Sequence, residues 1–87
     1  MPKEKLRVSV GELRAHLEEN QQVEAEGREA LDGLAARLEV MINGSDQHWE
    51  EGLMDELEKQ VILYEQDHPV ISRVISQIIT TLNGMGL

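Results

Sequence analysis

Apolar residues recur along this chain at helical spacing almost from end to end. At about 100° per residue on a helical wheel, Val70, Ile71, Val74, Ile75, Ile78, Ile79 and Leu82 fill one half of the circle. Ser72, Arg73, Ser76, Gln77, Thr80 and Thr81 take the other half. The segment is rich in β-branched residues, which favour strands, yet "VISRVISQIITTL" does not alternate at period two. The spacing therefore predicts a helix near 69–83. A second stripe, Trp49, Leu53, Met54, Leu57, Val61 and Tyr64, predicts a helix near 47–66. A third, Val23, Gly27, Ala30, Leu31, Leu34, Leu38, Met41 and Ile42, predicts one near 22–43. Leu6, Val10, Leu13 and Leu17 form a narrower stripe, the width of a coiled-coil seam, and predict a helix near 5–19. Ser9 and Glu12 have the spacing of a capping box, which offers a start at Ser9 as the alternative to one near Lys3.

The stripes join into two longer units. Positions 6, 10, 13, 17, 20, 24, 27, 31, 34, 38 and 41 step by four and three in turn, and so do 54, 57, 61, 64, 68, 71, 75, 78, 82 and 85. Heptads of this kind describe two arms of an antiparallel hairpin. "NGSD" at 43–46 is the expected turn, with Asn43 and Gly44 able to take left-handed conformations and Ser45 or Asp46 able to cap the next helix. Each heptad fails in its middle, at Asn20, Glu24 and Gly27 in the first arm and at His68 in the second. In a hairpin folded near residue 45 these failures reach similar heights. Either both arms break there, giving four helices, or a polar layer crosses the hairpin. The fold class expected is all-α: an antiparallel helical hairpin or bundle of about four segments with coiled-coil-like packing, one small domain over residues 1–87.

A chain of 87 residues buries a modest core, and small domains commonly recruit disulfides, metals or further subunits. There is no cysteine, so disulfides and thiolate metal sites are excluded, and Trp49 and Tyr64 are the only aromatic residues. Self-association, most simply as a dimer, becomes the expected source of extra buried surface. The formal net charge is −9, and its weight falls on residues 44–68, where Lys59 faces eight acidic residues. Such a surface repels nucleic acid and anionic membranes and attracts basic proteins. No apolar run approaches the ~18 residues of a membrane span. "MPKEKLRVSV" lacks the apolar centre of an export signal, and a chain without cysteine suits a reducing compartment, so a cytoplasmic location is expected.

The stretch "YEQDHPVI" at 64–71 sets an aspartate beside a histidine and could suggest chemistry. Proline pushes the residue before it out of the helical region and is welcome at a first helical position. Pro69 therefore starts the last helix, His68 is its N-cap, and Asp67 adds negative charge at the positive end of the helix dipole. A helix start accounts for all three residues. His16, His48 and His68 share no short metal spacing, and Glu12 with His16 offers two ligands where zinc needs three or four. Ser9, Ser45, Ser72 and Ser76 stand on no glycine-flanked nucleophile elbow, and there is no phosphate-binding glycine loop. No enzyme, cofactor or metal is expected. At the C-terminus "TTLNGMGL" can end the last helix at Gly86, with Leu87 touching Leu82, or at Gly84, leaving Met85 and Leu87 as a free apolar tail for a partner.

Tyr64, Glu65, His68, Pro69 and Ile71, followed by Leu82, Met85, Gly86 and Leu87, form a pattern that resembles the domain-of-unknown-function family 4404, short acidic bacterial proteins. The opening "KEKLR" and "ELRAHLEE" are similar to that family's first helix. Tyr64 stands where a phenylalanine is usual, Leu87 where an isoleucine is, and Gly11 interrupts the opening helix, which predicts a weak point there. The resemblance implies an all-helical protein and carries no active site with it.

Two functions follow. The first is a non-catalytic module that pairs with a second copy, or docks on another protein, through Val70, Ile71, Val74, Ile75, Ile78, Ile79 and Leu82, a face wider than one hairpin partner covers. The second is an acidic regulator or mimic that binds a basic protein through residues 44–68. The first arrangement has a rival within a single chain, in which the N-terminal helices fold over that same face.

Overall fold

The computed structural model describes residues 2–19, 23–44 and 52–85. They form four α-helices: α1 (Pro2–Glu19), α2 (Ala25–Asn43), α3 (Leu53–Tyr64) and α4 (Pro69–Gly84). No strand occurs among the described residues. The fold is an all-α bundle, and both arms of the expected hairpin are broken. An unbroken arm of residues 1–43 would be about 64 Å long at 1.5 Å per residue. The molecule measures only 35 × 21 × 20 Å. Its radius of gyration, 12.2 Å, matches the value of about 12 Å usual for a compact domain of this length.

Three contacts fix the relative directions of the helices. Arg7 Nη2 donates to Asn43 Oδ1 at 3.4 Å, and Arg14 Nε donates to Glu39 Oε1 at 2.6 Å, so α1 and α2 run antiparallel. Ser72 Oγ donates to the Val61 carbonyl at 3.1 Å, which sets α3 and α4 antiparallel. Gly27, near the start of α2, lies against Tyr64 at the end of α3. One end of the bundle therefore gathers the end of α1, the start of α2, the end of α3 and the start of α4. Around the bundle α1 packs on α2 and α4, and α4 packs on α3. The α2–α3 seam is the loosest of the four.

The width of the α4 stripe now has its cause. Ile71, Val74, Ile75, Ile78 and Leu82 are all buried within the single chain, Ile79 packs against that core, and Val70 is exposed. Two neighbours, α1 and α3, cover the face between them, and a helix in that position needs apolar residues around half its circumference. Of the seven residues expected at an intermolecular interface, five are thus buried in the core of one chain, Ile79 packs against that core, and Val70 alone is on the outside. The rival arrangement, in which N-terminal helices fold over the face, is the one adopted.

Several boundaries move. α1 begins at Pro2, and Ser9 is a buried residue in its middle rather than a cap. Gly11 is helical and exposed, and the helix passes through it without a break. α2 begins at Ala25 instead of 22, because Glu24 is extended at φ −60°, ψ 146°. Its core stripe is rotated toward α1: Ala35 is buried and Ala30 is exposed. Gly44 is extended at φ −78°, ψ 151°, not left-handed, and its N–H closes the helix on the Val40 carbonyl at 2.9 Å. The left-handed residue among those described is Gly52, φ 88°, which precedes α3. Ser45, Asp46, Trp49 and the expected start of α3 near 47 lie outside the described residues, as does the break expected at 20–22. α3 ends at Tyr64, two residues earlier than expected, in a turn over 65–67. α4 ends at Gly84, one of the two expected stops, with Met85 as its C-cap, but Met85 packs against the core and is not freed as a tail. Gly86 and Leu87 are outside the described residues.

Candidate functional site

The broken end of the bundle is where sequence features converge. Pro69 opens α4 and His68 occupies its N-cap position, as expected from the sequence. The His68 backbone is at φ −138°, ψ 69°, and its side chain makes no capping hydrogen bond. Its ring lies 5.8 Å from that of Tyr64, centroid to centroid, with the planes tilted by 52°. The backbone carries the connection instead: the His68 N–H donates to the Tyr64 carbonyl at 2.9 Å, and the Ser72 N–H donates to the His68 carbonyl at 3.1 Å. His68 therefore holds the N-cap position through its backbone, while its ring sits tilted beside Tyr64.

Tyr64 depends on a glycine. A Cβ placed on Gly27 would fall far inside contact of the Tyr64 hydroxyl and 3.1 Å from Cζ. The phenol thus lies directly on the backbone of α2, and only a residue without a side chain allows it. Burial and the Glu24 carboxylate, in that order, both raise the Tyr64 pKa above its ordinary 10.0. The hydroxyl is consequently protonated and faces negative charge.

These residues frame an open groove of about 710 Å³ between the start of α2 and the end of α3, lined by Glu24, Glu26, Gly27, Leu63, Tyr64, Asp67 and His68. Among the described residues the lining holds three carboxylates and no lysine or arginine. Leu63 leaves 60% of its surface uncovered there. A groove of this composition can hold a cation by charge and by an aromatic face, and an apolar group on its rim. Among the described residues no three His, Asp or Glu side chains converge as a metal site. No described helix is long and apolar enough to cross a membrane.

A family model described as "Domain of unknown function (DUF4404)" matches residues 6–87. The chain belongs to that family. No curated protein and no solved structure matches it. Of the DUF4404 pattern residues read in the sequence, Tyr64 and His68 line the groove, Ile71 and Leu82 are core with Met85 packed against it, Glu65 and Pro69 are exposed, and Gly86 and Leu87 lie outside the described residues.

Glu24, Glu26, Gly27 and Leu63 were not singled out from the sequence as a site. A signal for them did exist. Of the positions where the heptads fail at similar heights, Glu24, Gly27 and His68 line the same groove, and Asn20 lies outside the described residues.

Proposed function

We propose that this DUF4404 protein is a non-catalytic helical module that binds a basic protein segment through its acidic outer surface. The observation that carries this reading is the burial of the α4 stripe inside one chain. With that face used internally, the broad surface left for a partner is acidic. Asp55, Glu56, Glu58, Glu65 and Asp67 are all exposed on α3 and the turn after it, against Lys59 alone. Charge of this density attracts basic partners over distances near the Debye length, about 10 Å at moderate salt. Pairing with a second copy through the same surface would set like charges together, so the partner is a different molecule. The absence of any expected catalytic constellation in the sequence points the same way.

Light scattering on the pure protein tests the choice. The reading predicts the monomer mass of 9.8 kDa at every concentration, and binding of lysine-rich peptides that weakens steeply as salt rises. A dimer that resists salt would favour apolar self-association and defeat the proposal.

A further inference from the structure

We infer that the groove between the start of α2 and the end of α3 is the anchoring point of that interaction, and that it takes a lysine or arginine from an amphipathic partner segment. The inference rests on the basic-partner reading and narrows it to one place. Charge complementarity is the first argument. Glu24 and Glu26 on one wall and Asp67 on the other have no cation among the groove's lining residues, so a partner's cation would supply the missing charge. Geometry is the second. Tyr64 and His68 stand together as a tilted aromatic pair in the groove. A lysine or arginine within about 6 Å of an aromatic face gains a further attraction. Arginine adds a planar fork that suits paired carboxylates.

Leu63 supplies the third argument. Most of this side chain is uncovered although it sits on the rim of the groove. The α2–α3 seam beside it is the loosest in the bundle. A partner with apolar residues next to its basic ones would cover Leu63 while its cation enters the groove. A polycation without apolar residues would leave Leu63 wet. The occupant is therefore an amphipathic basic segment, read by charge at its centre and by apolar contact at its edge. Gly27 keeps the groove in shape, because the Tyr64 hydroxyl can reach the α2 backbone only over a residue without a Cβ.

Fluorescence anisotropy on the full chain tests this, using a labelled peptide with lysines on one helical face and leucines on the other. Its counterpart with glutamate in place of lysine is the control. The wild type should bind the lysine peptide and ignore the glutamate one. Glu24→Gln, Glu26→Gln and Asp67→Asn together should weaken binding at least about tenfold, the sum of three modest ion pairs. Removing three exposed carboxylates of α1, as Glu4→Gln, Glu12→Gln and Glu18→Gln, should weaken it less than about threefold. Leu63→Ser, a single change at an exposed position, should also weaken binding while leaving the far-UV spectrum unchanged. Equal loss from the two triple variants, with no effect of Leu63→Ser, would overturn the groove and leave a diffuse acidic surface as the binding site. Failure of the wild type to bind the lysine peptide even at low salt would overturn the groove and the basic-partner reading together.

Discussion

Gly27→Ala is the perturbation whose outcome depends most on the geometry described above. In an exposed helix interior, glycine to alanine stabilises by up to about 1 kcal/mol, because alanine loses less backbone entropy on folding. Gly11 and Gly33 meet that description: both are helical and exposed, and a Cβ on either would touch nothing within 4 Å. Each should gain stability when changed to alanine. At Gly27 the new Cβ meets the Tyr64 hydroxyl and, 3.1 Å away, its ring carbon Cζ. The ring must leave the α2 backbone or α2 must shift, and overpacking of this kind costs about 1–3 kcal/mol. Gly27 also lies in the first turn of α2, where the propensity gain is smaller than in mid-helix. The net expectation is a loss of about 1 kcal/mol, the opposite sign to Gly11→Ala. Urea unfolding followed by far-UV circular dichroism measures all of these. Tyr64→Phe made in the Gly27→Ala background removes the atom in closest conflict and should recover part of the loss, a coupling that a double-mutant cycle isolates. Gly27→Ala stabilising as much as Gly11→Ala, with no coupling to position 64, would refute the Tyr64–Gly27 contact.

Three further expectations follow from local geometry. His68→Ala should cost only a few tenths of a kcal/mol, below the ~1 kcal/mol of a lost side-chain cap, because the His68 ring makes no capping bond; His68→Asn should be neutral or stabilising in the same urea assay. Tyr64 is the sole tyrosine, so tyrosinate absorbance reports it directly. Its folded pKa is raised, the folded state therefore holds the proton longer than the unfolded one, and the contribution to stability is full below pH 10 and fades as pH rises past the folded pKa. Glu24→Gln should bring that titration closer to the ordinary value in folded protein. Arg14 pairs with Glu39 and approaches Asp32 to 3.8 Å, with these side chains 41–48% exposed. Arg14→Ala should cost no more than about 1 kcal/mol, and less at high salt.

Helix identity was legible because period 3.6 survives even where propensity opposes it, as in "VISRVISQIITTL". The break between α3 and α4 was legible too, since proline constrains the residue before it. The breadth of the α4 stripe was visible, and its cause was not. A wide apolar face says how many neighbours a helix has and leaves open whether they come from the same chain. Ser9 and Glu12 show the limit of local signals: a capping-box spacing that falls inside α1, with Ser9 buried. Ala35 takes the core position expected of Ala30, a shift of the α2 stripe that its spacing alone did not reveal. The groove escaped notice because it joins residues some 40 positions apart. Only the shared height of the heptad failures at Glu24, Gly27 and His68 pointed to it, and a failure in a pattern does not say what fills the space.

The internal position of the α4 face is the claim on which the rest depends, and Ile75→Lys tests it most directly. Ile75 is fully buried. A lysine held there loses the isoleucine contacts and must give up its charge, at a combined cost of about 5 kcal/mol or more. That approaches the whole stability of a domain this size, roughly 4–13 kcal/mol. Far-UV circular dichroism and sedimentation of the wild type and the variant should show a helical monomer and a chain that has lost its helicity or its cooperative unfolding. A wild-type dimer converted by Ile75→Lys into a folded, fully helical monomer would contradict the account, since it would place the face between chains.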